Sequence, residues 1–402
     1  MHEHHRQNVG PKDGNSGARI PGTSALTRRE LLQTMAAGAL GGWSTSSLSA
    51  ADAAETKRNP LPRWRGFNLL NFFQAIGGSE RNDGMIPEED FRWIRQWGFD
   101  FARIPMDYWL WIDSDWRQTR TLTPEDVFRI DEAMLERVDR TVELGRKYEV
   151  HVSLNFHRAP GYCINNPERE PFVLWRDRQA EDAFVHHWDV FARRYREVPS
   201  SQLSFNLVNE APTPRDGYMS REDYVRVMTR ATLAIRAVSP DRLVIVDGLN
   251  VGNKPIDELI PLGVAQSVHA YTPAGISHYR AGWVDRKQSF PTPTWPLKDQ
   301  SGRVTFDRAR LESHYAPWGE LVGKGVGVHC GEGGSYSKTP YDVFLAWMTA
   351  VLEILQGHGI GWALWNLRGA FGVVDSGRAD VAYEDFEGHR LDRQLLTLLQ
   401  RH

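Results

Sequence analysis

Two glutamates follow short apolar segments of the chain, and their side chains could do acid–base or nucleophilic chemistry. Glu210 ends the run Leu-Ser-Phe-Asn-Leu-Val-Asn that begins at Leu203, and Glu332 ends Gly-Val-Gly-Val-His-Cys-Gly at 325–331. Runs of this kind predict buried β-strands, and Pro212 stops the first one because proline has no N–H to offer a neighbouring strand. Each carboxyl is therefore predicted at the edge of a sheet. Two carboxyl groups on two strand ends are what the hydrolysis of a glycosidic bond requires.

The elements that must position these acids alternate regularly from Arg65 onward. Strict alternation of strand and helix patterns predicts the α/β class and a single (β/α)8 TIM barrel over residues 60–402, with its functional groups at the carboxyl ends of the strands. A doubly wound open sheet is the alternative, but Asn71-Phe72-Phe73-Gln74 follows the first strand in place of a glycine-rich dinucleotide turn. The eight predicted strands are 66–72, 99–105, 150–156, 203–209, 243–248, 267–271, 325–329 and 361–365.

Helical patterns with recognisable first residues fill the intervals between the strands. Ser220 followed three residues later by Asp223 predicts a capped helix start, and Pro340 after Thr339 predicts another. The predicted helices are 88–97, 130–148, 179–195, 220–238, a short one near 256–260, 307–321, 340–356 and 392–399.

Polar or aromatic side chains close most of the other predicted strands as well. Taken singly, each has a structural explanation, such as a buried ion pair for an arginine, a hydrogen-bonded core imidazole for a histidine, or packing for a tryptophan. Taken together and in this order, they indicate the functional face of a barrel. These residues are Arg103, His157, Asn209, His269, Tyr271 and Trp365.

The order of these residues resembles that of glycoside hydrolase family five, a family of cellulase-like enzymes. In the clan to which that family belongs, the acid/base follows strand four of the barrel and the nucleophile follows strand seven. The resemblance covers the chain from about Arg65 to its end. After strand four the family commonly has Asn-Glu-Pro, whereas this chain has Asn-Glu-Ala-Pro, which leaves the acid in place. The family's recurrent Arg, His, Asn-Glu, His-x-Tyr, Glu and Trp fall on Arg103, His157, Asn209 with Glu210, His269 with Tyr271, Glu332 and Trp365.

The resemblance implies a retaining β-glycoside hydrolase that cleaves a β-linked glucan by double displacement. Glu332 would attack the anomeric carbon while Glu210 would donate a proton and later activate water, which requires carboxyl groups about 5–5.5 Å apart. We expect Arg103 to keep Glu332 ionised, and we expect the pKa of Glu210 to be raised. The alternatives are an exo-acting β-mannosidase or β-glucosidase on short oligosaccharides, and a catalytically inactive carbohydrate-binding barrel.

The same resemblance gives roles to the remaining residues. Asn209 would bind the sugar 2-hydroxyl, Tyr271 would donate to Glu332, and Trp365 would lie under the sugar beside the cleaved bond. His157 and His269 would bind hydroxyls or orient the acids. The loop 272–304 is long enough to close one end of a cleft. Further candidate sugar platforms are Trp109, Trp111, Trp283 and Trp295.

The composition suits a neutral partner. Among the 402 residues, 48 Lys and Arg against 51 Asp and Glu give a formal net charge of −3, so no basic excess indicates nucleic acid or an anionic membrane. A metal-dependent hydrolase on this barrel would need His-x-His after the first strand, where Asn68-Leu69-Leu70-Asn71 stands instead. We therefore expect an oligosaccharide or polysaccharide substrate, no metal, no cofactor, no membrane span and a monomer.

The first 54 residues are predicted to be a leader. Residues 1–25 show no apolar period and indicate disorder. Arg28-Arg29, the weakly apolar residues 34–43 and the small residues 44–54 are typical of a twin-arginine export signal. We expect export to the periplasm or the cell exterior, with Cys163 and Cys330 as free thiols because they fall on opposite sides of the predicted barrel.

Overall fold

The computed structural model describes residues 58–76 and 82–402. Within this part of the chain, eight parallel strands form a closed barrel. Each strand pairs with the next one in sequence, and the last pairs with the first. The strands are β1 Arg65–Asn68, β2 Phe101–Asp107, β3 His151–Ala159, β4 Leu203–Asn206, β5 Val244–Asp247, β6 Ala265–Ala270, β7 Val328–Gly333 and β8 Gly361–Leu364. The prediction of a (β/α)8 barrel is confirmed.

Helices lie between successive strands on the outside of the barrel. Their starts follow the capping rules: Ser220 and Asp223 form a reciprocal capping box, and Asp307 and Asp392 accept backbone N–H groups at two other helix starts. The longer helices are α1 Glu88–Gln96, α2 Glu132–Tyr148, α3 Arg178–Arg194, α4 Arg221–Val238, α5 Arg308–Gly323, α6 Tyr341–Gly357 and α7 Arg393–Arg401.

Shorter elements fill the loops. Three hairpins or hairpin strands extend the loops after β3, β6 and β8: Tyr162–Cys163, Leu297–Lys298 with Val304–Phe306, and Glu384–Phe386 with His389–Leu391. The short helical turns are Tyr108–Trp111, Trp116–Thr119, Asp126–Phe128, Pro167–Arg169, Leu249–Gly252, Asp257–Leu262 and Ala274–Ser277.

Several predicted boundaries differ from the structure. Strand β1 ends at Asn68 and β4 at Asn206, before the predicted ends at 72 and 209. Strand β7 runs over Val328–Gly333 instead of 325–329, because Gly325 has a φ of +86° and ends the preceding helix turn. Pro340 is the residue before α6 and not its first residue, and the Thr339 hydroxyl bonds to the Ile276 carbonyl instead of to the helix. The predicted leader 1–54 lies outside the described residues.

The core has the layered form that a barrel imposes. Strands β2 and β3 are buried along their full length, and apolar faces of the helices pack against the outside of the strands. The described helices include none that is long and apolar enough to cross a membrane. The carboxyl ends of the strands therefore form one rim on which the loops assemble a site.

Candidate active site

Glu210 and Glu332 meet at the carboxyl-terminal rim of the barrel. Glu332 lies in β7, and Glu210 lies four residues after β4. A carboxylate oxygen of each, together with a ring nitrogen of His269, falls within 4.8 Å of the others. The Glu332 side chain is 4% exposed and the Glu210 side chain is 17% exposed. The structure thus brings together the two acids that the sequence predicted, one buried and one partly open to solvent.

Arg103 in β2 binds Glu332 and ties it to three asparagines. Its Nη1 atom donates to Glu332 Oε1 at 2.6 Å and to Asn68 at 3.0 Å. Its Nη2 atom donates to Asn209 Oδ1 at 2.8 Å, and Nε donates to Asn206 at 2.9 Å. Because the guanidinium is buried and planar, these bonds fix its plane and with it the direction of the Glu332 carboxylate.

A β-bulge in β7 aims Glu332 into the site. Cys330 pairs with Val268 and Glu332 pairs with His269, so Gly331 is the extra residue in the β7 strand. A bulge of one residue changes the face to which the following side chain points. The Glu332 Oε2 atom then accepts a hydrogen bond from the Tyr271 hydroxyl at 3.0 Å. The predicted Tyr271 contact to Glu332 is present.

Glu210 adopts a left-handed backbone conformation, with a φ of +47°. This conformation is uncommon for a residue with a side chain and is found where surrounding contacts impose it. The Glu210 N–H donates to Asp247 Oδ2 at 3.0 Å, and its carbonyl accepts from the Tyr162 hydroxyl at 2.6 Å. The turn places the Glu210 carboxyl against His269.

His269 connects the acids. Its Nδ1 atom lies 3.0 Å from Glu210 Oε1 and 3.7 Å from Glu332 Oε2, and its Nε2 atom lies 3.1 Å from Asp247 Oδ2. Burial alone would lower the pKa of His269, but the negative charges of Glu332 and Asp247 outweigh burial and raise it to about 10. The imidazole is therefore a cation at neutral pH, and both of its nitrogens carry a proton.

Burial raises the pKa of Glu332 above its ordinary value, although the charges of His269 and Arg103 oppose this shift and the charge of Glu210 adds to it. The predicted contact with Arg103 is present, but it does not outweigh burial. Asp247 behaves differently: despite its burial, the charges of His269 and Arg103 hold its pKa well below the ordinary range. Asp247 is thus the permanently ionised member of the cluster.

Glu210, His269 and Glu332 are also spaced closely enough to hold a metal ion. The chemistry of these donors disfavours one. A protonated imidazole has no lone pair to give, and Arg103 already contributes a positive charge beside Glu332. The expectation of a metal-free site stays a prediction that this chemistry supports.

Three of the predicted sugar-binding residues, Asn209, His157 and Trp365, line the site. The first two have polar atoms without a hydrogen-bond partner, and the third contributes an aromatic ring. The Nδ2 group of Asn209 is buried and has no hydrogen-bond partner, and the same is true of His157 Nδ1. Burial lowers the pKa of His157 well below its ordinary value, so the ring is neutral and Nδ1 can donate while Nε2 accepts from Asn165 at 3.2 Å. Trp365 stacks on His157, with ring centroids 5.8 Å apart, and stands edge-on to Phe73.

Sequence reasoning missed Asp247, Asn206 and Asn68. Asp247 ends the apolar run Val-Ile-Val-Asp of β5, which is the same pattern of a strand closed by a polar residue that identified the others. Asn68 and Asn206 lie at the last positions of β1 and β4, where they accept from Arg103. The signal was present for Asp247, whereas Asn68 and Asn206 fell inside the predicted strands 66–72 and 203–209, which in the structure end at these two residues.

The candidate tryptophan platforms separate into buried and exposed rings. Trp109 and Trp111 are 1% and 0% exposed, so the prediction that they could carry a sugar is wrong: both are core residues of the turn after β2. Trp295 is half-buried and packs on the core. Trp283, in the loop after β6, is 57% exposed and stands edge-on to Tyr336 with ring centroids 4.9 Å apart.

Comparisons with known proteins agree with this geometry. Residues 55–370 match the sequence model of a family described as cellulase, glycosyl hydrolase family 5. Endoglucanase C of Acetivibrio thermocellus is 25% identical over 347 residues, which cover 79% of this chain and 95% of that protein. Cellodextrinase A of Ruminococcus flavefaciens is 23% identical over 306 residues, which cover 74% of this chain and 83% of that protein.

Solved structures match over the same region. A structure described as a glycoside hydrolase is 37% identical, with a TM-score of 0.77, and the match covers 84% of this chain and 99% of that one. A hyperthermophilic endo-β-1,4-glucanase in complex with substrate superposes with a TM-score of 0.62 at 22% identity, covering 84% of this chain and 96% of that one. The second likeness shows the fold alone.

Proposed function

Because the chain belongs to the cellulase family, glycosyl hydrolase family 5, and is a glycosidase that hydrolyses O-glycosyl bonds, we propose that it cleaves a β-linked glucan by a retaining double displacement. The observation that carries the proposal is the close approach of the Glu210 and Glu332 carboxylates, whose nearest oxygens lie within 4.8 Å. Retaining glycosidases hold their two carboxyl groups about 5–5.5 Å apart, whereas inverting enzymes need about 6.5–9.5 Å to admit a water.

In the first step, a Glu332 oxygen attacks the anomeric carbon, the bond from that carbon to the glycosidic oxygen breaks, and the proton of Glu210 goes to the departing oxygen. In the second step, Glu210 takes a proton from water, the water oxygen bonds to the anomeric carbon, and the Glu332 ester bond breaks. The product keeps the anomeric configuration of the substrate, and both glutamates return to their starting state.

The charges of the site support these roles. Arg103 and a protonated His269 face Glu210, Glu332 and Asp247, so the cluster has a net charge of −1 when all three carboxyls are ionised. One bound proton makes this buried cluster neutral, which burial favours. Arg103 and Tyr271 donate to Glu332 and fix the carboxylate that attacks, so our proposal gives the role of proton donor to Glu210, the more exposed of the two acids. A protonated carboxyl can still accept the His269 N–H at its other oxygen.

The names of the relatives and the shape beside the site support the proposed substrate class. Relatives that match most of the chain are named endoglucanase and cellodextrinase. In the described part of the chain, a cleft of about 760 Å³ between the loops after β1 and β8 is lined by Asn68, Phe73 and Asn366 among others. Because Asn68 also binds Arg103, the cleft lies next to the Arg103–Glu332 pair, and its volume supports a substrate longer than one sugar.

Glu210→Ala tests the assignment of the proton donor. The rate on a cello-oligosaccharide should fall by about 10²–10⁴-fold, the usual contribution of general acid catalysis. The first step on a dinitrophenyl β-glucoside should fall much less, because that leaving group departs without a proton. Azide should restore turnover and give a β-glycosyl azide, since the small anion fits the vacated space and needs no general base. Equal loss on both substrates with no azide product would remove Glu210 from the mechanism.

A panel of substrates, tested on the wild-type protein, separates the alternatives. A panel of aryl β-glucosides, aryl β-mannosides, cello-oligosaccharides and soluble cellulose derivatives distinguishes glucan hydrolysis from exo-acting β-mannosidase or β-glucosidase activity by the products formed. Absence of turnover on every member would favour the carbohydrate-binding barrel. NMR of the first product should show the β-anomer, and an α-anomer would contradict the retaining mechanism.

Export by a twin-arginine signal is a further part of the proposal. It is supported by Arg28-Arg29 followed by a weakly apolar segment and small residues. Replacing both arginines by lysine in the full chain should leave the protein in the cytoplasm of a host with a working twin-arginine pathway. Unchanged export would overturn this part of the proposal without affecting the enzymatic one.

A further inference from the structure

The left-handed backbone of Glu210 is held by two side chains, and neither of them contacts the reacting atoms in the mechanism above. Asp247 accepts its N–H at 3.0 Å, and Tyr162 donates to its carbonyl at 2.6 Å. Asp247 ends β5, and Tyr162 belongs to the hairpin after β3, so the two contacts come from strands on either side of β4. The backbone N–H and carbonyl groups of Glu210 are therefore both hydrogen-bonded to side chains from neighbouring elements.

Asp247 is rigidly fixed. It is fully buried, its Oδ1 atom accepts from Asn206 at 2.9 Å, and its Oδ2 atom lies 3.1 Å from His269 Nε2 and 3.6 Å from Arg103. Each of these partners donates or carries positive charge, so the carboxylate stays ionised and has no freedom to turn. An acceptor fixed in this way selects one orientation of the Glu210 N–H.

Tyr162 is fixed by packing. Its ring is 2% exposed and stands edge-on to Trp175, with centroids 5.1 Å apart. The residue after Glu210 is held in a similar manner: the Ala211 carbonyl accepts from Val251 N–H at 2.9 Å. Val251 has a φ of +53°, which is unusual for a β-branched residue, so this turn too is imposed by its surroundings.

We propose that Asp247 and Tyr162 are positioning residues for the proton donor and act through the backbone of Glu210. This inference rests on the proposed function, because it takes Glu210 as the acid/base. Without the two hydrogen bonds, the strained peptide relaxes toward an ordinary φ, and the carboxyl leaves the position from which it reaches the glycosidic oxygen. Misplacement of a catalytic group by about 1 Å can cost on the order of 10²-fold in rate.

Tyr162→Phe is the first test, because it removes one hydroxyl and keeps the packed ring. The kcat on a cello-oligosaccharide should fall about three- to tenfold, the size of effect that the loss of one hydrogen bond produces, and KM should change little. Hydrolysis of the dinitrophenyl β-glucoside should keep its wild-type first step. Asp247→Asn should show the same dependence on leaving group with a larger loss, because it also removes the charge beside His269.

A double-mutant cycle separates positioning from general damage. If Tyr162 acts through the Glu210 carboxyl, Tyr162→Phe should have no further effect in a Glu210→Ala background, since the group it positions is gone. The matched control is Asp392→Asn, a fully buried aspartate at the start of α7 that accepts from Tyr341 and lies outside the site. It should lower thermal stability without changing the ratio of rates on the two substrates.

The outcomes distinguish this inference from the one on which it rests. Equal loss on both leaving groups in Tyr162→Phe, or loss that adds to that of Glu210→Ala, would overturn the positioning role. If Glu210→Ala itself lowers both rates equally, the assignment of the proton donor fails first, and the positioning role fails with it. Should Asp247→Asn not fold, Tyr162→Phe decides the matter alone.

Discussion

Gly331 in β7 lies directly against Ser267 in β6, so that a Cβ atom on the glycine would stand 2.6 Å from the serine Oγ. The same Cβ would be 3.6 Å from both Arg103 Nε and His269 Nε2. Gly331 is the bulge residue that directs the Glu332 side chain into the site. The bulge, and with it the direction of Glu332, therefore depends on the close approach of Gly331 to Ser267.

Gly331→Ala should therefore lower both stability and activity. Overpacking of a buried site costs about 1–3 kcal/mol, and a shift of β7 would move Glu332 as well. Ser267→Ala alone should be nearly neutral, because the serine hydroxyl is buried without a partner. The double variant should recover most of the melting temperature and kcat. A Gly331→Ala variant with wild-type stability would show that Ser267 can turn away, and the contact would then not determine the bulge.

Glu332→Gln should abolish turnover and leave the fold intact, because an amide of the same shape cannot attack the anomeric carbon. The control is Glu320→Gln on an exposed position of α5, which should retain wild-type kinetics. Both proteins should show the same far-UV circular dichroism. Wild-type rate of Glu332→Gln on an aryl β-glucoside would mean that the nucleophile is another residue.

The raised pKa of Glu332 determines one side of the pH profile. Attack needs the carboxylate, and a carboxyl whose pKa is raised takes up its proton at a higher pH as the pH falls. The acid limb of kcat/KM should therefore have its midpoint above 4.5, the ordinary value for a glutamate. Tyr271→Phe removes a donor to the carboxylate and should move the limb to still higher pH. A midpoint at or below 4.5 would contradict this account.

The two cysteines should be slow to react in the native protein. Both are free and buried, and burial raises the pKa of Cys163 to about 11 and that of Cys330 further above its ordinary value. The thiolate is the reactive form. An aromatic disulfide reagent at pH 8 should therefore modify neither cysteine of the native protein in the time that it needs to modify both in the denatured protein. Titration of the denatured, unreduced protein should give two thiols. Fewer than two, without oxidation, would indicate a disulfide.

What the sequence could predict depended on whether a feature was local. A polar residue that closes an apolar run is a local signal, and it correctly placed Glu210, Glu332 and Arg103 at one rim. The left-handed turn at Glu210 was not predictable in this way, because Asp247 and Tyr162 impose it from distant parts of the chain.

Burial of aromatic rings was similarly hidden. Trp109 and Trp283 both stand in loops after barrel strands, yet one is 1% exposed and the other 57%. The difference arises because Trp109 belongs to a tight turn folded onto the core, which no pattern of neighbouring residues reveals. Likewise, the balance between burial and the Arg103 charge at Glu332 depends on how deeply the site lies, so the direction of the Glu332 pKa required the structure.

Trp283 is exposed and stays a predicted sugar platform. Its place relative to Glu332 predicts how its loss depends on substrate length. Tyr271 binds Glu332, His278 packs edge-on to Tyr271 at 5.0 Å, and Trp283 packs edge-on to His278 at 6.4 Å. Two side chains, Tyr271 and His278, thus separate the ring from Glu332, and we expect a second or third unit of a bound chain to reach it. Flat aromatic faces gain from covering the apolar face of a ligand.

Trp283→Ala should therefore lower kcat/KM on cellotetraose or longer chains by about tenfold, which corresponds to about 1.4 kcal/mol, and leave an aryl β-glucoside unaffected. The matched control is Leu233→Ala on α4, a residue that is also 57% exposed. It should change neither rate, because it lies on the outer face of a helix. An equal loss on the aryl glucoside would mean that Trp283 supports the loop rather than the substrate. Unchanged rates on long chains would show that the substrate passes along another side of the rim, such as the cleft beside Asn68 and Asn366.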